Sequence, residues 1–229
     1  MCGRYSVLTE KEIIEVRKIL KEWLTLKVNR DSFEFYEKPP WDEVVPTGAA
    51  PVVIQDGDGA SFENLRFGFR ETWASSGVIF NARADALSDE KKMFSQHTNT
   101  GRCVVPAAEY YEWKYPRTED GKKKRKEGVK HRIKDRDGNL LFFAGLYRNT
   151  PDGKEFVVIT KRPTGEVAAI HDRMPVILRV DQLEDWLTGQ IPVKDLQNMA
   201  FDAAVEACEV PEKPADGGKD EVEGQMRLF

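Results

Sequence analysis

A mixed α+β fold, mainly an antiparallel and partly barrel-like β-sheet core with peripheral helices, is predicted by three features of this sequence. Several short runs are rich in β-branched and aromatic residues, Gly- and Asp-containing turns separate them, and helical patterns sit towards the two ends without the regular β-α alternation of a parallel sheet. With 229 residues, 40% of them hydrophobic, the chain suits one large core rather than two small ones.

The first element is a helix over residues 9–24. Thr9 stands three residues before Glu12, the spacing of a capping box, and Ile13, Val16, Ile19, Leu20, Trp23 and Leu24 recur at helical intervals. Strand patterns follow at 51–55, 60–69, 77–83, 102–114, 130–148 and 155–160. The first ends in the turn DGDG, and RDGN at 136–139, between two apolar runs, reads as the turn of a β-hairpin. Beyond Pro163 the chain returns to helix: a short one around 166–170, one over 181–187 with a capping box of Asp181 and Glu184, and a third near 193–207.

Three zones follow: a folded domain over 1–208, an acidic flexible linker over 209–224 and a tail over 225–229. Residues 209–223 hold six acids and two lysines, which is the whole of the net charge of −4 and leaves the remainder formally neutral. A nucleic-acid partner therefore needs a local basic groove rather than a bulk field. The basic run at 122–126 is either a solvated loop or a finger that contacts phosphates. No apolar stretch approaches the roughly 18–20 residues of a membrane span, and no signal peptide opens the chain, so a cytoplasmic protein is expected. Cys2, Cys103 and Cys208 form no C-x-x-C pair, and His97, His131 and His171 share no ligand spacing with them, so neither disulfides nor a metal is expected. No cofactor fingerprint is present either.

The opening MCGRY places a small residue after Met1, the context in which the initiator is commonly removed. Cys2 would then carry an α-amine of pKa roughly 7.7–8.0 beside a thiol of about 8.5. Such a 1,2-aminothiol condenses with an aldehyde to an imine, and its thiol closes onto the imine carbon as a five-membered thiazolidine, a step favoured by being intramolecular. The alternative is that Cys2 merely permits Met1 removal. Three other stretches carry polar groups suited to chemistry. In FNARAD, Asn81 and Arg83 are two apart on a strand and share a face. In EYYEWK, Glu112 lies among aromatics, where a carboxyl pKa rises and general acid/base work near neutrality becomes feasible. In HDRMP, His171 and Arg173 follow an apolar helix. Taken singly, Asn81 reads equally as a turn residue, Glu112 as a surface charge and His171 as a helix C-terminal cation.

Taken together and in order, MCGRY, FNARAD, RCVVPAAEYYEWK and HDRMPVIL resemble the SRAP family, the SOS-response-associated peptidases understood as abasic-site processing proteins; the likeness spans roughly residues 2–205. The resemblance implies covalent capture of abasic sites in single-stranded DNA, shielding the lesion during replication and the SOS response. Cys2 would be the nucleophile, Asn81 would orient its amine or the sugar, Glu112 would be the general acid/base, and His171 would assist ring opening and imine formation. Arg4, Arg83 and Arg173 would hold phosphates beside the lesion, and Pro46 and Thr47 would line the DNA groove. One stretch departs from the family pattern: in FGFRETW, Phe67 stands for a Trp, and Arg70 and Glu71 replace an apolar-Pro pair. Phe67 and Trp73 are expected to keep the role of wedging between or stacking on bases. Asp85 replaces a commoner Glu, a tolerable change. Cys103 and Cys208, the latter following a helix, are expected to be packed or incidental.

The tail QMRLF is similar to the pentapeptide by which bacterial repair proteins dock on the replication sliding clamp, with Gln225 as polar anchor and Met226, Leu228 and Phe229 as apolar contacts. The alternative is a tail that folds back on the domain. Docking would place the protein at the replication fork, associated with the nucleoid. Two other functions remain open: an N-terminal-nucleophile hydrolase acting on amides through Cys2, and a non-catalytic single-strand binder or clamp adaptor. A monomer is expected.

Overall fold

The computed structural model of the protein describes residues 2–28, 38–39, 41–116, 127–199 and 205–211. The basic run at 122–126 and the tail at 225–229 lie outside them, as does all but the start of the linker. In order, the first half contains β1 (Arg4–Ser6), α1 (Glu10–Trp23), β2 (Lys27–Val28), β3 (Glu43–Val44), β4 (Ala49–Asp56), β5 (Gly59–Phe67), β6 (Phe69–Arg70), β7 (Val78–Ile79) and β8 (Asn81–Arg83). The second half contains β9 (Arg102–Ala107), β10 (Glu109–Lys114), β11 (Val129–Asp135), β12 (Leu141–Thr150), β13 (Gly153–Lys161), β14 (Met174–Pro175), β15 (Ile177–Leu178), α2 (Leu183–Leu187) and β16 (Val205–Glu209).

Five strands close on themselves in the order β13-β12-β9-β4-β5, because β5 pairs back onto β13. The closing contact is parallel, Glu155 opposite Arg66 and Phe156 opposite Phe67, whereas the other four are antiparallel. Closure removes two sheet edges that would otherwise expose unpaired N–H and C=O groups. A second sheet, β16-β11-β10-β1-β3, is antiparallel throughout.

The barrel strands alternate between two apolar clusters, which is why their sequences are nearly continuous in hydrophobic residues. Val53, Val104, Phe142 and Val157 share one cluster with the buried face of α1 (Ile13, Val16, Leu20) and with Trp186 of α2. Val52, Val105, Phe143 and Phe156 join the other, where Tyr5, Tyr110 and Ile133 come in from the second sheet and Cys2 from just ahead of it. Each strand presents successive side chains to opposite faces, so both faces are covered. Helix α1 forms as its sequence predicts: the Thr9 hydroxyl accepts from the Glu12 N–H and the Glu12 carboxylate accepts from the Thr9 N–H.

Several expectations are corrected. RDGN closes no hairpin, since β11 and β12 belong to different sheets. The Asp135 carboxylate instead accepts from the N–H groups of Asp137 and Asn139 and from the Asn139 amide, turning the chain from one sheet into the other. The run at 102–114 is likewise two strands in two sheets. Asp181 and Glu184 form no capping box: Asp181 pairs with Arg179, and Glu184 reaches Thr25 beyond the end of α1. Of the predicted helix at 193–207, the described residues form a 3₁₀ turn at Val193–Asp195 and the start of a strand, β16, at Val205. Cys208 therefore sits exposed in a strand rather than after a helix. The folded chain also runs past the expected boundary at 208, since the Val210 N–H donates to Lys130 O.

Phe67 is the largest correction. It has no exposed surface and lies in the second cluster, stacked on Phe156 at 5.0 Å, so it cannot wedge between bases. Next to it, Gly68 has φ +104, and a Cβ there would lie 2.3 Å from Val78 Cγ1, so only glycine lets the chain turn from β5 into β6. Phe67→Ala is expected to destabilise the fold by about 3–5 kcal/mol. Trp73→Ala, at a site 68% exposed, should change stability by only about 0.5 kcal/mol. Chemical denaturation of the two variants checks both.

Candidate active site

Cys2 enters the second cluster just ahead of β1 and is fully buried. Its neighbours come from three separate parts of the chain. Strand β8 pairs with β13, Val158 opposite Asn81, and delivers the Asn81 side chain, whose Nδ2 donates to Cys2 O at 3.0 Å and to Phe80 O at 3.0 Å. Because Nδ2 faces carbonyl oxygens, Oδ1 is turned the other way; it is buried and makes no hydrogen bond among the described residues. Strand β10 pairs with β1, Tyr5 opposite Tyr110 and Arg4 opposite Tyr111, so continuing the register backwards carries the N-terminal residues past Glu112. His171 follows the 3₁₀ turn Gly165–Ala169, with its N–H donating to Val167 O at 2.9 Å.

Glu112 and His171 meet with His171 Nε2 3.8 Å from Glu112 Oε2; the histidine side chain is 8% exposed and the glutamate 3%. The other ring nitrogen, Nδ1, faces Asp172 Oδ1 at 3.0 Å and accepts from the Arg173 N–H at 3.1 Å. His171 also lines a cleft of about 430 Å³ with Lys114, Tyr115, Ile170 and Asp172, which gives this side of the site a path to solvent. The electrostatics at Cys2 have a definite sign. Burial pushes the thiol pKa well up, and the Glu112 charge pushes it further, so the sulfur is a thiol rather than a thiolate near neutrality.

Cys2, Asn81, Glu112 and His171 thus converge, although the first and the last lie 169 positions apart in the chain. The residues expected at phosphates divide. Arg83 is exposed and held by both Asp85 oxygens, at 3.0 and 2.7 Å. Arg4 is half-exposed, bonded to Glu43 at 3.2 Å and 5.5 Å above the Trp113 ring. Arg173 is turned inward instead: its side chain is only 12% exposed, it donates to Thr160 O, and it lies 3.8 Å from Asp85, so it acts first as a strut beside the site. Thr47, with φ 77, sits in a tight turn whose N–H donates to Phe67 O at 2.7 Å, with Pro46 part-buried beside it.

The stretch FGFRETW has its own logic. Arg70 donates to Glu155 at 2.7 Å and to Asp152 at 2.8 Å, and Arg148 bridges Glu155 at 2.9 Å and Glu71 at 2.6 Å. Burial alone would raise the Glu155 pKa, yet the two guanidinium groups outweigh it and hold the carboxyl below its ordinary value. Glu71 in turn accepts from Trp73 Nε1 at 2.7 Å. The ion network therefore braces the β6–β7 hairpin and its exposed Trp73. Sequence reasoning misses one buried group, the Tyr110 phenol two residues before Glu112 on the same face of β10. The period of two is the signal that could have found it. Among the described residues no cluster of three or more His, Cys, Asp or Glu is arranged to hold a metal.

Fold and site together define a β-barrel protein with a buried cysteine at position 2, flanked by an asparagine and a Glu–His pair. The chain belongs to the SRAP (SOS response associated peptidase) family, whose sequence pattern it matches over residues 1–213. It is 36% identical over 200 residues to the abasic site processing protein YoqW of Bacillus subtilis, covering 82% of this chain and 80% of that one. It is 22% identical over 233 residues to the abasic site processing protein YedK of Escherichia coli, covering 98% and 96%. The fold is shared with a phage-related protein of Bordetella bronchiseptica, at TM-score 0.67 and 20% identity over 91% of this chain and 94% of that one.

The thiol environment makes a direct prediction. In protein retaining Met1, a thiol-specific reagent at neutral pH should react quickly with exposed Cys208 and slowly with buried Cys2 and Cys103. In a Cys208→Ser background, the slow Cys2 reaction should rise with pH and accelerate on Glu112→Gln, because the variant removes a charge that holds the thiol protonated. Peptide mapping of the labelled protein reads out both effects.

Proposed function

We propose that this protein processes abasic sites, capturing the ring-opened deoxyribose of single-stranded DNA covalently through Cys2 once Met1 has been removed. The observation that carries the proposal is the convergence on buried Cys2 of Asn81, at 3.0 Å from its carbonyl, and of the Glu112–His171 pair.

The chemistry follows from the site. The abasic sugar in its open form presents an aldehyde at C1′. With Met1 gone, the Cys2 amine adds to C1′, and the buried Asn81 Oδ1 is an acceptor suited to hold that amine in place. Glu112 takes a proton from nitrogen and passes it to His171, which, open to the cleft, has protonated the departing oxygen; loss of water leaves the imine and restores the Glu112 carboxylate. The sulfur then adds to the imine carbon. The amine-first order suits the electrostatics, since a thiol held protonated by burial and by Glu112 is a poor opening nucleophile. The same feature weighs against an amide hydrolase that opens with the thiolate. Around the site, Arg4 and Arg83 supply cations for flanking phosphates, Pro46 and Thr47 form a wall of the groove, and Trp73 offers a face for an unpaired base. Docking of Gln225, Met226, Leu228 and Phe229 on a sliding clamp is a separate proposal that rests on the sequence of the tail.

Protein shown to begin at Cys2 should form a denaturation-resistant adduct with single-stranded DNA bearing one abasic site. Cys2→Ala should form none, and Glu112→Gln should form it about 100-fold more slowly. A denaturing gel reads all three. Equal adduct from Cys2→Ala would overturn the proposal, and multiple turnover on peptides without an adduct would favour the hydrolase.

A further inference from the structure

Tyr110 is buried completely, on the same face of β10 as Glu112 and in the same apolar cluster as Cys2. Its ring packs edge-on against Phe143, with centroids 5.7 Å apart and planes at 89°. Apolar packing accounts for the ring but not for the hydroxyl, which is buried and makes no hydrogen bond among the described residues. A phenol in such a place normally finds a partner, and phenylalanine would fill the same space without leaving a donor unmet. The groups that act on this hydroxyl electrically are Cys2 and Glu112; together with burial, the largest effect, they raise its pKa well above the ordinary value. The phenol is therefore a permanent proton-bearing donor, beside a site where a negative charge must appear when the thiol ionises.

We propose that Tyr110 donates a hydrogen bond to the Cys2 sulfur during ring closure, and so serves the second bond-forming step rather than the first. The inference rests on the crosslinking reading above. In the closing step the thiol gives its proton to the Glu112 carboxylate. A sulfur electron pair forms the S–C1′ bond, the C=N π pair moves onto nitrogen, and nitrogen takes the proton from Glu112. Nothing leaves, and imine and thiazolidine are isomers. Burial opposes the transient thiolate, and a neutral phenol offsets it without adding charge. A donor lowers the intrinsic nucleophilicity of the sulfur as well as its pKa. With a Brønsted slope of about 0.4–0.5, as in thiol–disulfide exchange, each pKa unit of lowering gives tenfold more thiolate and costs about threefold in reactivity. For a thiol that titrates far above neutrality, the net gain is about threefold per unit.

The test compares Tyr110→Phe with the unaltered protein, both shown to begin at Cys2, on single-stranded DNA with one abasic site. Reactions are quenched over time with borohydride, which reduces the imine and leaves the closed ring intact, and intact mass counts each form. For Tyr110→Phe the expected result is total adduct appearing at an unchanged rate, closure slowed about threefold or more, and a larger reducible fraction at early times. The melting temperature should be unchanged or raised, since an unmet donor has been removed. A partition identical to that of the unaltered protein would overturn the role of Tyr110 and leave the crosslinking reading standing. So would equal slowing of both steps with a lowered melting temperature, which marks a packing defect. Absence of any adduct from the unaltered protein would overturn the crosslinking reading and this inference with it.

Discussion

Burial of Cys2 beside a carboxylate governs how the rest of the site is built. Leaving the thiol in water would give it an ordinary pKa and a wide range of oxidants and electrophiles. Placing it in an apolar cluster next to Glu112 raises its pKa and keeps it protonated near neutrality. Such burial requires covering material on every side, and the fold supplies it from both sheets: Phe143 and Phe156 from the barrel, Tyr5 and Tyr110 from the second sheet. The barrel in turn can present an apolar outer and inner face at once because α1 and α2 cover the other cluster.

A second constraint concerns the hairpin that carries Trp73. Arg70 and Glu71 are absorbed into a network with Arg148, Asp152 and Glu155. Exposed ion pairs contribute little on their own, but Glu155 is buried, and removing one partner of a buried carboxylate leaves a charge without compensation. The network therefore serves to fix the geometry of an exposed aromatic whose own packing contributes little. Phe67, by contrast, has left the surface altogether, so the hairpin presents one large aromatic, Trp73, where the sequence offered two.

Local signals in the sequence are legible where one element decides the outcome. The capping box of Thr9 and Glu12 and the stripe of Ile13, Val16 and Leu20 depend only on helical spacing, and α1 forms as they require. Side-chain periodicity also places Asn81 and Arg83 on one face of a strand. What local pattern does not carry is which sheet a strand joins. RDGN has the composition of a hairpin turn, yet β11 and β12 part company, and that choice is made by contacts between residues far apart in the chain. The same reason hides the burial of Phe67: the strand pattern at 60–69 is legible, but that its end lies under β13 is decided only when β5 pairs back onto it. Residues 193–207 have helical composition, but the edge of β11 captures the end of that run as β16, an override of local propensity by tertiary pairing.

In the proposed mechanism one buried residue supplies both an amine and a sulfur to the same sugar carbon. That can be read by digesting the protein–DNA adduct, isolating the modified peptide and locating the attachment by tandem mass spectrometry after alkylation of free thiols. The expected product is a single modified peptide that begins at Cys2, retains the sugar on residue 2, takes up no alkylating agent at that sulfur and has no free α-amine. A sugar attached to a lysine, or a Cys2 thiol still open to alkylation in the stable adduct, would contradict it.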